Sequence, residues 1–329
     1  MKKSVGVSFA LVLVLVLVCA FTAAAAEQER VIATVVKLSG VNWFQRMEEG
    51  VGRYAADSGN NAFQQGPSKA DAALQVQVVE DLIAQGVDAL CVVPFSAEAL
   101  EPVLKKARDQ KIVVVTHEAS AQQNVDYDIE AFDNAAYGVH FMDALAALMD
   151  KKGEYVVMVG SLTSKTHNEW VDAAIEHQKA RYPEMKWVGQ KIETNDDQQT
   201  AYARTRELFK AFPDLKGFIG SSAVDVAGAG LAIEEMGLAD KTAVVGTSLV
   251  SVSGQYLKTG AVDMISFWDP AEAGYAMNRV AEWVLDGKSV EDGADLKVKG
   301  YEKIKLDGKV IYGQAWVDVT KDNMGQYNF

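Results

Sequence analysis

The chain has 329 residues, half of them apolar, a mean hydropathy near zero (−0.02) and a formal net charge of −13. Such an acidic balance argues against nucleic acid or an anionic membrane surface as the partner. A length of about 300 residues usually divides into two cores, which predicts two domains.

The first element in the chain is an export leader. Met1-Lys2-Lys3 leads into the apolar run Phe9–Phe21 and the small residues Ala23–Ala26. A short basic start, a short apolar stretch and an Ala-x-Ala site read as a secretory signal over residues 1–26, cut after Ala26. The run is shorter than the roughly 20 residues of a transmembrane helix. Val18 is bulky where a residue preceding a lipid-modified cysteine is usually small, which argues against lipid anchoring at Cys19. The expected location is periplasmic or extracellular. Cleavage removes Lys2 and Lys3 and no acid, taking the net charge from −13 to −15. It also leaves Cys91 as the one cysteine, inside Leu90-Cys91-Val92-Val93, so no intrachain disulfide forms and the thiol reads as buried and inert.

Beyond the leader, short β-branched runs alternate with helical patterns. Strand Val31–Val36 precedes a helix from about Trp43 to Ser58, then helix Asp71–Gln85, strand Ala89–Val93, helix Ala97–Gln110 and strand Ile112–Thr116. The alternation predicts a parallel sheet covered on both faces. A strand-like Asp128–Phe132 and a helix from Asn134 to Asp150 come next, and the pattern then restarts. It runs through Tyr155–Val159, helix Asn168–Arg181, strand Trp187–Ile192, helix Gln198–Phe212, strand Gly217–Gly220, helix Val224–Met236 and strand Ala243–Gly246, closing with Met264–Phe267 and helix Ala271–Leu285. With no flexible linker between the halves, the fold class is α/β, two doubly wound parallel-sheet lobes with a ligand cleft between them.

Ligands of such sheets collect at the carboxyl ends of the strands. Those ends carry Lys37 with Trp43-Phe44, Pro94-Phe95, His117-Glu118, the segment Thr163–Trp170, Ser221-Ser222, Ser248 and Trp268-Asp269. Aromatic faces beside carboxylates, a lysine, imidazoles and hydroxyls suit a small polyhydroxylated ligand, rings stacking on its C–H faces while fixed groups take its hydroxyls. His117 reads either as a ligand contact or as a packed cleft-wall residue, and His167 either as a contact or as a residue of the helix start. Ala121 stands where a zinc-protease helix needs a second histidine, so His117-Glu118 is no metal motif. Gly228-Ala229-Gly230 falls inside a helix, where close packing explains it better than a dinucleotide turn. Asn195-Asp196-Asp197 reads as a helix cap, with calcium binding the alternative. No metal and no cofactor are expected.

The mature chain resembles a bacterial solute-binding protein of the ribose-binding type, the receptor part of an ABC transporter, over roughly residues 30–329. The likeness rests on Val35-Val36-Lys37-Leu38 with Asn42-Trp43-Phe44, Gln85-Gly86-Val87-Asp88-Ala89-Leu90, Val244-Val245-Gly246-Thr247-Ser248, Phe267-Trp268-Asp269 and the tail Thr320–Phe329. The lysine, the Trp-Asp pair and the tail are similar to the autoinducer-2 and rhamnose-binding branch. Lys37, Ala223 and Asp269 match the autoinducer-2 pattern, and Glu118 replaces an aspartate. The Asp-Gln pair of that pattern is here Thr166-His167, and its proline is Ser221, which changes the hydroxyls the cleft can satisfy.

The resemblance implies a non-enzymatic periplasmic binding protein type I that closes its lobes on one monosaccharide, a pentose or a deoxyhexose such as rhamnose, with autoinducer-2 the alternative. Lys37, Glu118 and Asp269 would fix hydroxyls, Trp43, Phe44 and Trp268 would sandwich the ring, and Ser221, Ser222, Ala223 and Ser248 would present hydroxyl or backbone groups. The implied partners are an ABC permease in the cytoplasmic membrane or a sensor or chemotaxis receptor, for a monomer that binds no nucleic acid. The expected division is 27–132 plus 270–299 for the N-terminal lobe and 133–269 plus 300–329 for the C-terminal lobe. A secreted glycoside hydrolase with Glu118 and Asp269 as its acid/base pair is the competing enzymatic reading.

Overall fold

The computed structural model describes residues 29–329, so the leader over 1–26 and Cys19 lie outside the described residues. The first half runs β1 (Val31–Val35), α1 (Asn42–Ser58), β2 (Asn61–Gln65), α2 (Ala72–Gln85), β3 (Ala89–Val92), α3 (Ala97–Asp109), β4 (Val113–His117) and β5 (Tyr127–Glu130). The chain then crosses to α4 (Asn134–Leu148), β6 (Gly153–Val159), α5 (Lys165–Arg181), β7 (Met185–Trp187), β8 (Ile192–Glu193), α6 (Gln198–Ala211), β9 (Leu215–Gly220), α7 (Asp225–Glu235), β10 (Ala243–Thr247), α8 (Val250–Thr259) and β11 (Met264–Phe267). It returns through α9 (Pro270–Leu285), β12 (Lys305–Asp307) and β13 (Val310–Tyr312), and ends with β14 (Val317–Val319).

Two sheets result. The first has the order β12-β13-β5-β4-β3-β1-β2, and the second β14-β11-β10-β9-β6-β7 with β8 also on β6. Pairing is parallel except for the edge pairs β12/β13 and β11/β14. Successive residues of a strand face opposite sides, and both sides of the first sheet are apolar. Ala33, Val35, Leu90 and Val92 meet Val79, Leu82, Leu100 and Leu104 of α2 and α3. Ile32, Ala89, Cys91 and Val115 belong to the larger cluster that includes Met47 and Tyr54 of α1 and Met277 and Val280 of α9. That two-sided cover is why the strands read as continuous apolar runs.

Helix ends follow local chemistry. Asp71, Asp133 and Asp197 accept the amides of Leu74, Ala136 and Thr200 at 3.0, 2.9 and 2.7 Å. Gly86 closes α2 at φ 75°. Gly228 in α7 lies where a Cβ would meet Ala201 of α6 at 2.6 Å, so it serves helix packing. Cys91 is buried, and burial pushes its thiol up, away from the reactive thiolate.

Two expectations change, and two elements come in addition. Residues 300–329, expected together in the second lobe, divide: β12 and β13 extend the first sheet through β13 on β5, while β14 joins β11 in the second. The strand expected over Trp187–Ile192 is broken into β7 and β8, with Gly189 at φ 75° between them. Elements β2 and α8 appear where no pattern announced them. β2 (NAFQQ) is a polar edge strand, and α8 is rich in serine and valine.

The chain thus passes between the sheets three times, at 131–133, 268–269 and 313–316. α1 and α9 pack closely, and a Cβ on Gly50 would stand 1.9 Å from the Ala271 carbonyl oxygen. Gly50→Ala forces these helices apart and is expected to destabilise the fold by about 1–3 kcal/mol. Urea unfolding checks this, and an unchanged midpoint would show that the helices yield at no cost.

Candidate functional site

A cavity of about 330 Å³ lies between the sheets at the carboxyl ends of their strands. The loop after β1 and the start of α1 bring Lys37, Leu38, Val41, Asn42, Trp43 and Phe44. Glu118 follows β4, and Trp268 follows β11. The second lobe contributes His167 from α5, the Asp196–Gln198 turn after β8, Ser221–Val224 after β9, Thr247 at the end of β10 and Val252 of α8.

Lys37 and Glu118 form a buried ion pair, Nζ to Oε2 2.8 Å. Glu118 sits at φ 60°, a conformation most side chains avoid, which turns its carboxylate from the end of β4 towards Lys37. Burial alone would raise this carboxyl; the Lys37 ammonium, with His117 and His167, outweighs burial and holds it down at about 2. For Lys37 burial acts downward, and Glu118 reverses the balance so that the ammonium is held above its ordinary value.

His167 is also buried. Its Nδ1 accepts the Gly160 amide at 3.2 Å, so in the neutral ring Nε2 carries the proton. Burial and the Lys37 charge lower its pKa to about 4, which keeps the ring neutral at pH 7. Asp225 shapes the Ser221-Ser222 turn: one oxygen accepts both amides at 3.1 and 2.8 Å, and the other accepts the Thr194 hydroxyl at 2.6 Å. Ser221 Oγ is buried without a hydrogen-bond partner among the described residues. Trp43 and Trp268 meet edge to face with centroids 4.7 Å apart, forming an apolar wall.

Nine expected residues therefore line the cavity: Lys37, Trp43, Phe44, Glu118, His167, Ser221, Ser222, Ala223 and Trp268. Four others do not. His117 lies behind the wall with both nitrogens engaged. Nδ1–H donates to the Ile129 carbonyl at 2.6 Å, and Nε2 accepts the Trp268 indole N–H at 3.3 Å. The Thr166 hydroxyl is turned away, donating to Glu130 at 3.3 Å. Ser248 Oγ donates to the Ala223 carbonyl at 2.6 Å and is held by Ser253 at 2.7 Å, so it braces the loop.

Asp269 caps α9 through the Ala271 amide and is gripped by Arg46 in a two-pronged pair at 2.9 and 2.7 Å. The local signal for this was present, because Asp269-Pro270 is a helix-start sequence. The hydrolase pair is not assembled either: Glu118 is held ionised by Lys37, and Asp269 lies outside the cavity, committed to Arg46.

Sequence reasoning missed Asp196 as a lining residue. Asn195 and Asp196 have φ 57° and 51°, and the Asp196 carboxylate accepts the Ser222 hydroxyl at 2.5 Å. Its neighbour Asp197 is the helix cap that the pattern announced. Among the described residues no group of three or more His, Cys, Asp or Glu side chains is placed to hold a metal ion.

The family description "Periplasmic binding protein domain" matches residues 32–289. The chain belongs to this periplasmic binding protein family. Its members are binding proteins, not enzymes. The chain is 28% identical over 252 residues to the D-ribose/D-allose-binding protein of Pseudomonas aeruginosa, covering 70% of this chain and 74% of the relative. It is 26% identical over 308 residues to the xylitol-binding protein of Mycolicibacterium smegmatis, covering 92% and 80%. Among solved structures, an ABC transporter solute-binding protein of Clostridium phytofermentas with bound L-rhamnose superposes with a TM-score of 0.84 at 21% identity, covering 91% of this chain and 98% of that one. LsrB of Clostridium saccharobutylicum in complex with AI-2 gives 0.82 at 21%, covering 91% and 100%. At these identities the structures establish the fold of this periplasmic binding protein, two α/β lobes of type I.

Removing one partner of a buried ion pair strands the other charge. Lys37→Met is expected to cost about 3–5 kcal/mol at pH 7, measured by denaturant unfolding. Because the Glu118 pKa is depressed in the folded state, the pair's contribution is present above the ordinary value of 4.5 and is lost as pH falls from there towards about 2. The wild-type protein should show that acid loss and the variant should lack it.

Proposed function

We propose that this protein captures one monosaccharide for an ABC transporter, closing its lobes on a pentose or a deoxyhexose such as rhamnose and presenting it to a membrane permease. The observation that carries this reading is the cavity's two-sided chemistry. Trp43, Phe44 and Trp268 offer ring faces to C–H groups, while Lys37, Glu118, His167, Asp196, Ser221 and Ser222 offer donors and acceptors to hydroxyls. The volume of about 330 Å³ suits one small ligand.

The names of the curated relatives support the same class, D-ribose/D-allose and xylitol. The leader expected over residues 1–26, together with the family, supports a periplasmic location. Autoinducer-2 is the weaker reading. Lys37 and Ala223 of that pattern line the cavity, but Asp269 is committed to Arg46 and Thr166 to Glu130.

A thermal-shift series on the purified, ligand-stripped protein tests the function, using D-ribose, D-allose, xylitol, L-rhamnose, D-fucose and autoinducer-2. A ligand at 100 times its Kd stabilises the native state by about 2.7 kcal/mol, which raises Tm by several degrees. A shift with at least one sugar is expected. A flat series, or a shift with autoinducer-2 alone, would overturn the monosaccharide reading. For the sugar that binds, Trp43→Ala should weaken affinity about tenfold or more by removing a stacking face, read by isothermal titration.

A further inference from the structure

The charges lining the cavity are unbalanced. Lys37 is the one cation among the lining residues, and Glu118 already pairs with it; Asp196 and Asp197 are the other charged lining groups. Asp197 is spent on its helix, with Oδ1 accepting the Thr200 amide and hydroxyl at 2.7 Å each. Asp196 has no cation within ion-pair distance among the described residues, and one donor, the Ser222 hydroxyl, meets its Oδ1. Two features place it there. Two successive left-handed residues, Asn195 and Asp196, turn the loop back towards the cavity. Gly160 opens the room, since a Cβ there would stand 2.2 Å from Asp196 Oδ1. The same glycine's amide holds His167.

We propose that Asp196 is the specificity-determining carboxylate of the cavity, selecting neutral polyols that donate a hydroxyl to it and rejecting sugar acids. This rests on the monosaccharide reading above and narrows it. A neutral polyol gives Asp196 a second hydrogen bond to a charged acceptor, a contact stronger than a neutral one. A ligand carboxylate placed there meets an unpaired like charge, and that juxtaposition disfavours its binding. Lys37 does not relieve it, because Glu118 neutralises that ammonium.

Isothermal titration with matched compounds tests this. D-fucose and D-galacturonate differ at C6, methyl against carboxylate, and D-ribose and D-ribonate extend the comparison to an open-chain acid. The wild-type protein should bind at least one neutral sugar and discriminate against its acid counterpart by about a hundredfold or more. Asp196→Asn keeps the shape and removes the charge. It should weaken the neutral sugar about tenfold and shrink the discrimination by a similar factor. Gly160→Ala keeps the charge but displaces it, and should weaken the neutral sugar while melting cooperatively. A wild-type protein that binds acid and neutral sugar equally, or an Asn variant with unchanged affinity and discrimination, would overturn the role of Asp196 and leave sugar capture standing. A wild-type protein that binds no neutral sugar overturns the reading beneath it as well.

Discussion

Three aromatic side chains hold the two halves of this molecule in register, one on or beside each crossing between the sheets. Phe132 lies on the first crossing, Trp268 on the second and Trp316 on the third. Phe132 meets Trp268 and Trp316 edge-on, at 5.3 and 5.2 Å. Tyr137 and Trp170 close the cluster from the second lobe, at 4.1 and 6.2 Å from Phe132. Rings in such contact lose attraction steeply when they part, so the cluster ties the three crossings to one another. A two-lobed protein that closes on a ligand needs a hinge of this kind, with a few positions absorbing the rotation while the sheets stay rigid.

Buried carboxylates are the second constraint, and the chain manages each differently. Glu118 is paid for by Lys37 and stays ionised. Asp128 and Glu130 stand two apart on β5, hence on one face, and have no such partner. Burial pushes both up, Asp128 to about 7; the Asp128 charge adds to the rise of Glu130, while a hydrogen bond from Glu130 works against the rise of Asp128. Thr116 donates to Asp128 at 2.6 Å, and Thr166 reaches Glu130 from the second lobe. A carboxyl that keeps its proton can donate as well as accept, which is how an acidic pair is tolerated beside the crossings.

The βαβ alternation made the sheets legible, because Val, Ile and Ala runs buried on both faces leave an unambiguous apolar trace. The second crossing was legible as Trp268-Asp269 but assigned to the cleft, when Asp269-Pro270 is first a helix start. What stayed hidden depends on partners distant in sequence. β12 and β13 are short, and only their pairing with β5 assigns them to the first sheet. Arg46 looks like any helical surface arginine until α9 brings Asp269 to it and the tail places Phe329 4.3 Å beneath its guanidinium. Strand-end position located eight cavity residues, and the family resemblance added Ala223. Position alone could not separate His117, which points behind the wall, from Glu118, which points into it, since that choice is made by one backbone angle at residue 118.

Trp268 joins the site to the hinge. One edge faces Trp43 at 4.7 Å within the cavity, its indole N–H reaches His117 in the first lobe, and its far side packs on Phe132 and on Trp170 of the second lobe. A ligand ring seated against Trp43 and Trp268 therefore presses on the side chain that the crossings share. On the proposed reading, a ligand that fits this wall would favour the closed arrangement only by its differential affinity for it. The buried Lys37–Glu118 pair lies wholly on the first lobe, whereas Asp196, His167 and Ser222 belong to the second. The first lobe thus offers a charged and aromatic floor to the cavity, and the second brings a carboxylate, an imidazole and a hydroxyl to face it.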